Sequence, residues 1–485
     1  MSGKKQWEER NLSMVMDLYE MTMSNGYFKE GNIEDCVVFD VFYRRNPDEG
    51  GFAIFAGLEQ IVEYIENFHF SDEDVKYLRS KNLYSDEFLE YLWQFKFKGD
   101  IYALPEGTIM YPDEPIITVV APLIDAQLIE TAILLEVNHQ SLIATKTRRI
   151  VKAAEGRSVA DFGARRAHNM DAAVYGARAA LIGGASSTAT VLAGQMFDMP
   201  ISGTMAHSWV MFFDDEFTAF KKFAEVYPDN SILLVDTYDV LGSGVPNAIR
   251  TAKEVLEPMG KRLKGIRLDS GDLAYLSKKA RKMLDDAGLN DAIIVASNSL
   301  DEFTIHSLIT QGAMIDSFGV GERLITSKSE PVFGAVYKLA AVEKNGRMIP
   351  KIKVSENVEK ITNPGRKNLY RVYDEEGKAV ADVIACDDEH LENGSSADCI
   401  DPQKPWKTRH FENCVFKPLQ KQIFKDGKLV SDMPSVTEIA AFVKKQLSEE
   451  IWEEEQRFEY PHRHYLDMTK KYYAMKNELL ESLKV

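Results

Sequence analysis

The chain has 485 residues, of which 45% are hydrophobic and 27% charged, so it has the material for a large folded core and exceeds one average domain. A net charge of −17 argues against broad contact with nucleic acid or an anionic membrane, both of which need a basic face. It leaves open an anionic small molecule held by a local cluster of Arg and Lys. Cys36, Cys386, Cys399 and Cys414 form no C-x-x-C pair, which speaks against a zinc knuckle and for reduced thiols.

The first residues, Met-Ser-Gly-Lys-Lys-Gln, are polar and carry no apolar leader. The greasiest stretch, Ile116 to Val137, is broken by Pro122, Asp125, Glu130 and Glu136 and cannot span a bilayer. A cytoplasmic location is expected.

In chain order, Asn11–Ser24 reads as a Met-rich helix and Cys36–Tyr43 as a strand. Gly57–Phe68 and Asp72–Phe95 have the apolar spacing of amphipathic helices. Pro105, Gly107 and Pro112 punctuate a turn-rich strand region reaching about Val120. A long helix is expected over Ala126–Ala144. Short apolar segments then alternate with helices: Ser158–Gly163, Leu181–Gly184, Ile201–Met205, Ile232–Asp236, Gly265–Asp269, Ile293–Ser297 and Asp316–Val320. Such alternation indicates parallel sheet with helical crossovers. Seven units predict an α/β barrel, irregular and seven-stranded, between an N-terminal α/β domain and a smaller C-terminal domain. The expected boundaries are 1–125, 126–345 and 346–485. Past Val320, strand-like pieces (Val332–Tyr337, Met348–Val354, Leu369–Tyr373) precede a helix from about Ser435 and a helical closing segment, Tyr460–Leu483. Glu453–Glu455 reads as a solvated helix face, and His462 and His464 as lying on a solvated or interface helix.

Each short strand runs into polar residues, at the end where parallel α/β proteins build their sites. The runs are Asp161-Phe-Gly-Ala-Arg-Arg, Gly184-Ala-Ser-Ser-Thr, Gly203-Thr-Met-Ala-His-Ser, Asp236-Thr-Tyr-Asp, Arg267-Leu-Asp-Ser-Gly-Asp, Ser297-Asn-Ser-Leu-Asp and Phe318-Gly-Val-Gly-Glu-Arg. Arg165, Arg166 and Arg267 are permanently charged forks for phosphate or carboxylate. Asp236, Asp239, Asp269 and Asp272 suit ribose hydroxyls or Mg²⁺ beside a diphosphate. Gly319 and Gly321 let backbone N–H groups face a phosphate. His207 suits acid–base work or phosphoryl acceptance. Each member has a plain structural account: a hydrogen-bonded histidine, a rim salt bridge, a turn, or a helix cap at Ser187, Asp215 or Asp301. That account does not explain seven polar strand ends in phase.

These motifs, in this order, resemble the nicotinate phosphoribosyltransferase family. The resemblance extends to Asp17-Leu-Tyr-Glu-Met-Thr-Met and Gly334-Ala-Val-Tyr-Lys-Leu, and is looser beyond about residue 345. It implies a dimeric enzyme with shared active sites. Nicotinate and phosphoribosyl pyrophosphate would give nicotinate mononucleotide and pyrophosphate, with Mg²⁺ and coupled ATP hydrolysis, in NAD salvage. His207 matches the phosphorylated histidine, oriented by Asp236 or Asp239. Tyr19, from a neighbouring subunit, and Phe162 match the two faces of the pyridine sandwich. Thr204 and Arg267 match nicotinate contacts, Arg165 a phosphate contact, Asp269 a ribose contact, and Gly319 and Gly321 the 5′-phosphate loop. Arg166 and Ser270 join the substrate-binding set. Ser186 stands where nicotinamide-using relatives carry Asp, favouring a carboxylate substrate. Glu322 departs from the Thr of some relatives, leaving backbone contacts for the phosphate. A quinolinate enzyme would need more basic residues, and a sugar-phosphate isomerase or lyase would not need a phosphorylated His207. A non-catalytic scaffold would have no need of the polar set.

Overall fold

The computed structural model describes residues 10–355 and 360–483; residues 1–6, on which the expectation of no apolar leader rests, lie outside them. The chain forms two compact units, Met1–Leu142 with Val332–Val485, and Ile143–Pro331.

In the first unit, strands from both chain ends share one sheet. Its order is Arg347–Pro350, Val336–Lys344, Cys36–Phe42, Ile117–Pro122, Asp100–Ala103, Lys421–Lys425, Lys428–Leu429. Neighbours are antiparallel, with Phe42 opposite Val336 and Val41 opposite Ile117. A second sheet of six strands is centred on Lys367–Tyr373, Ala379–Cys386 and Leu466–Thr469. Aliphatic and aromatic side chains such as Phe39, Phe55, Phe88, Ile117 and Tyr337 fill the core.

Helix ends follow local chemistry. Asp17 caps Leu18–Glu30, so the predicted Asn11–Ser24 helix starts later. The predicted Asp72–Phe95 helix is two, Asp72–Ser80 and Asp86–Trp93. Asn82, at φ 53°, turns the chain between them, and Ser85 restarts the helix by accepting from the Phe88 amide. The Ala126–Ala144 helix is observed as Glu130–Ala153, which contains the unit boundary.

The second unit is a parallel sheet with helical crossovers. Its order is Ser187–Thr188, Ser158–Asp161, Ser317–Val320, Ile293–Ser297, Gly265–Leu268, Ile232–Leu234. Ile201 joins the Thr188 edge by a single parallel bridge. Side chains such as Ile266, Leu268, Ile294 and Phe318 are wholly buried, as expected for strands covered on both faces. Two of the seven predicted strands are corrected, and the sheet has six: Ile201–Met205 is reduced to the bridge at Ile201, and Leu181–Gly184 is no strand. Leu181 and Ile182 end the helix Met170–Ile182, whose apolar face their packing completes, and the strand lies at Ser187–Thr188. No helix among the described residues is long and apolar enough to cross a membrane.

Candidate functional site

The site builds outward from the ends of the parallel strands. Asp161, at the end of Ser158–Asp161, is fully buried and accepts from Thr188 Oγ1 at 2.7 Å and from the Gly163 amide at 2.8 Å. Burial pushes its carboxyl up, while those two donors pull it down. Its role is to brace the turn that carries Phe162. Phe162 lies flat against Gly319: a Cβ there would stand 2.4 Å from the ring. Glycine is required at 319 by this close approach.

The Arg267 guanidinium carbon lies 5.6 Å from the centre of the Phe162 ring. Its nitrogens donate to Thr204 Oγ1 at 2.9 Å, Ser297 Oγ at 2.9 Å and Asp269 Oδ1 at 3.2 Å. Ser297 also donates to Asp269, so it locks the arginine to the aspartate. Asn298 and Ser299 follow with φ of 87° and 52°, a left-handed turn that ends the strand abruptly.

Asp236 is the hub beyond Asp269. Its Oδ2 accepts from the Asp269 amide at 3.0 Å and from Ser270 Oγ at 2.6 Å, and its Oδ1 lies 3.1 Å from His207 Nε2. The His207 side chain is 40% exposed and that of Asp236 only 1%: a buried carboxylate holds an accessible imidazole. An unbroken polar chain thus runs from Thr204 and Arg267 through Asp269 and Asp236 to His207.

Other expected members stand outside this chain. Asp239 turns its Oδ1 onto the Leu241 and Gly242 amides, so Asp236 and not Asp239 contacts His207. Asp272, Asp215 and Asp301 cap helices, and Asp301 also pairs with Arg323. Ser187 caps no helix but meets Ser202 at 2.7 Å. Arg165 and Arg166 lie exposed on the turn Ala164–Arg166. Ser186 is exposed and donates to Val159 O at 3.0 Å. Gly321 precedes Glu322, which pairs with Lys328 at 2.7 Å. Tyr19 belongs to the first unit. Ser297 was absent from the expected set, although its place at a strand end was a signal for it.

Two expectations for the first unit are corrected. His464 and Glu455 are buried rather than solvated, and His462 and His464 lie on no helix; Glu455 belongs to the short helix Glu453–Gln456, whose Glu453 and Glu454 are exposed as expected. His464 stacks on Tyr111 with ring centres 3.8 Å apart and pairs with Glu455 at 3.1 Å. The closing segment is helical only over Lys470–Ser482, after the strand Leu466–Thr469.

The chain matches three family profiles. These are the nicotinate phosphoribosyltransferase N-terminal domain over residues 14–138, the nicotinate phosphoribosyltransferase family over 157–392, and its C-terminal domain over 366–476. It is 47% identical to the Bacillus subtilis nicotinate phosphoribosyltransferase over 99% of this chain and 97% of that one. Against the Homo sapiens nicotinate phosphoribosyltransferase it is 30% identical over 96% of each. The crystal structure of human nicotinic acid phosphoribosyltransferase superposes with a TM-score of 0.85 at 28% identity, covering 96% of this chain and 99% of that one. The nicotinate-nucleotide pyrophosphorylase of Pyrococcus furiosus gives 0.69 at 26% identity, covering 92% and 98%. With likeness of this extent along nearly its whole length, the chain belongs to the nicotinate phosphoribosyltransferase family.

Proposed function

We infer that this chain is a nicotinate phosphoribosyltransferase. It joins nicotinate to 5-phosphoribosyl 1-pyrophosphate, giving nicotinate mononucleotide and pyrophosphate in NAD biosynthesis, and couples this to hydrolysis of ATP to ADP and phosphate. The observation that carries the reading is the continuous chain Arg267–Asp269–Asp236–His207, beside Phe162, in a member of this family.

In this reading Phe162 offers one face for the pyridine ring, and Tyr19 of a neighbouring subunit the other. Arg267 and Thr204 meet the carboxylate. Asp269 and Ser270 face the ribose, and the Gly319–Gly321 backbone and the exposed Arg165 and Arg166 face phosphates. The C1–O bond to pyrophosphate breaks with its electron pair leaving on pyrophosphate, and the pyridine nitrogen lone pair forms the C1–N bond. The site therefore stabilises an oxocarbenium ion and holds the ring close to C1.

Asp236 accepts from His207 Nε2–H, which leaves the lone pair on Nδ1. Nδ1 attacks the γ-phosphorus of ATP, and the bond to ADP breaks with its electrons on ADP. Water later takes the phosphoryl group as phosphate and restores His207. Phosphohistidine adds about two negative charges beside the diphosphate site, by analogy with other phosphorylated residues.

Among the described residues no three His, Cys, Asp or Glu side chains form a metal cage. Mg²⁺ commonly takes one or two carboxylates together with substrate phosphates. Asp239 and Asp269 are the carboxylates suited to hold it. When bound, the ion supplies charge neutralisation for the diphosphate.

We read the parallel sheet as an α/β barrel. Support comes from the strand order, which sets Ser158–Asp161 beside Ser317–Val320 and leaves one seam, between Ile201 and Ile232–Leu234. The division at 125 and 345 and a cytoplasmic homodimer complete the reading; the four cysteines are free.

The deciding assay is pyrophosphate release with nicotinate, nicotinamide and quinolinate, each with and without ATP. Nicotinate should react fastest and gain most from ATP. His207→Ala should abolish both phosphoenzyme and ATP stimulation, and a stimulation that survives would sink the phosphohistidine role. Ser186→Asp should lower use of nicotinate far more than of nicotinamide, because a carboxylate repels a carboxylate. Equal losses would count against Ser186 as a discriminator.

A further inference from the structure

Tyr19 is 43% exposed, yet it stands on a buried polar base. Burial, first, and the neighbouring Glu130 carboxylate push its phenol up; Glu130 is 7% exposed and accepts from Gln127 Nε2 at 2.9 Å. The next residue, Glu20, is wholly buried. Its Oε1 accepts from Thr131 Oγ1 and closes a capping box with the Asp17 amide, 3.4 Å away. Thr131 Oγ1 also lies 3.3 Å from that amide. Two neighbouring residues of one helix thus bear on the same tyrosine: the Glu130 carboxylate acts on its hydroxyl, and Thr131 holds the backbone turn that carries it.

A helix cap of exposed Asp or Ser would start this helix as well. Burying two carboxylates is costly unless they are hydrogen-bonded, as Glu20 and Glu130 are. The arrangement has a use if the ring must be aimed before a ligand arrives, since a ring already held loses little freedom on stacking. We propose that Glu20, Glu130 and Thr131 are positioning residues that hold the Tyr19 ring in its stacking orientation. This rests on the reading that Tyr19 stacks on the nicotinate ring.

Burial lifts the Glu20 carboxyl to about 7, against the opposing pull of Thr131 and the Asp17 amide. The neutral acid is thus accessible near neutral pH, and an amide is a fair mimic of it.

The test is steady-state kinetics of the full chain, with KM for nicotinate and for phosphoribosyl pyrophosphate read separately from kcat. Glu20→Met and Thr131→Val each break the Glu20–Thr131 bond together with one bond from the Asp17 amide, and Tyr19→Phe removes the hydroxyl that faces Glu130. Each should raise the KM for nicotinate about fivefold, the scale of one such bond, with kcat and the other KM nearly unchanged. Glu20→Gln and Thr131→Ser keep the needed oxygen and should restore the wild-type KM. Tyr19→Phe and Glu130→Leu together should do no more than the larger single change. If Tyr19→Ala leaves the KM for nicotinate unaltered, the stacking reading itself fails. If Tyr19→Ala raises it while Tyr19→Phe, Glu20→Met and Thr131→Val do not, stacking stands and positioning is overturned. A parallel rise in both KM values would also overturn it, as general loosening. Tyr19→Phe, at an exposed position, keeps the test open should a buried variant fail to fold.

Discussion

Each unit of the molecule holds a histidine beside an aspartate, and the two pairs have opposite surroundings. His207 is 40% exposed while its Asp236 is buried, so the imidazole can meet a ligand with its geometry already set. His464 and Asp382 are both buried, 3.5 Å apart. They belong to a closed cluster in which Arg371 donates twice to Asp382, at 2.9 and 2.7 Å, and Tyr111 donates to Glu455 at 2.6 Å. Burial alone would raise Asp382, but Arg371 outweighs it and holds the carboxyl well below the usual range. Burial, first, and the charge of Asp382 push the Glu114 carboxyl well up. The side chains of Arg371, Asp382, His464 and Glu455 are all buried, so the paired groups face one another rather than solvent. A polar cluster does chemistry only where one member reaches the surface; a closed one sets the packing around it.

Three changes would break or sharpen this contrast. The largest effect is expected in the closed cluster. Arg371→Met leaves Asp382 buried without its countercharge and should cost about 3–5 kcal/mol of stability, read by urea unfolding. A loss confined to activity, with the unfolding midpoint unmoved, would erase the distinction between the two clusters. Next, Asp236→Asn should slow formation of the phosphoenzyme about tenfold to a hundredfold, the scale of losing a partner that orients a reactive imidazole. Its unfolding midpoint should move far less than that of Arg371→Met. The smallest effect is a slope against pH. Burial would lower the pKa of His464, but Asp382 and Glu455 raise it above its ordinary value. Its stabilisation is complete below about pH 6.5 and is lost as pH rises through the folded value. Glu114, also raised, acts in the same direction from about pH 4.5. Asp382, depressed, stabilises above about pH 3.8 and ceases to do so in stronger acid. His464→Gln should flatten the decline in unfolding free energy above pH 6.5 and leave the acid limb in place. An unchanged slope would show that His464 is not the titrating group.

The open site was more legible in the sequence than the closed cluster, for a physical reason. Strand ends of a parallel sheet fall at one edge, so polar runs at Asp161, Asp236 and Arg267 announce a common location without knowledge of the pairing. His464, Glu455 and Tyr111 meet through long-range packing, and nothing near His464 in the chain marks it as buried. Leu181 and Ile182 misled because a short apolar run fits a strand or a helix end equally well. Ser297 reads as part of a polar strand end with no role of its own, because its importance lies in joining Arg267 to Asp269, a relation only the folded sheet creates. The choice between Asp236 and Asp239 likewise needed the turn at Leu241 and Gly242, which occupies Asp239.

The sheet shared by both chain ends has a consequence for synthesis. Strand Cys36–Phe42 takes its neighbour Val336–Lys344 only after everything between has left the ribosome. The segment Ile143–Pro331, whose strands pair among themselves, can organise while that neighbour is still awaited. Until then one edge of Cys36–Phe42, rich in Val and Phe, stays open to pairing with other chains. The nascent protein should therefore depend on chaperones most before Val336–Lys344 emerges, and truncation before Val336 should yield aggregation rather than a smaller stable product.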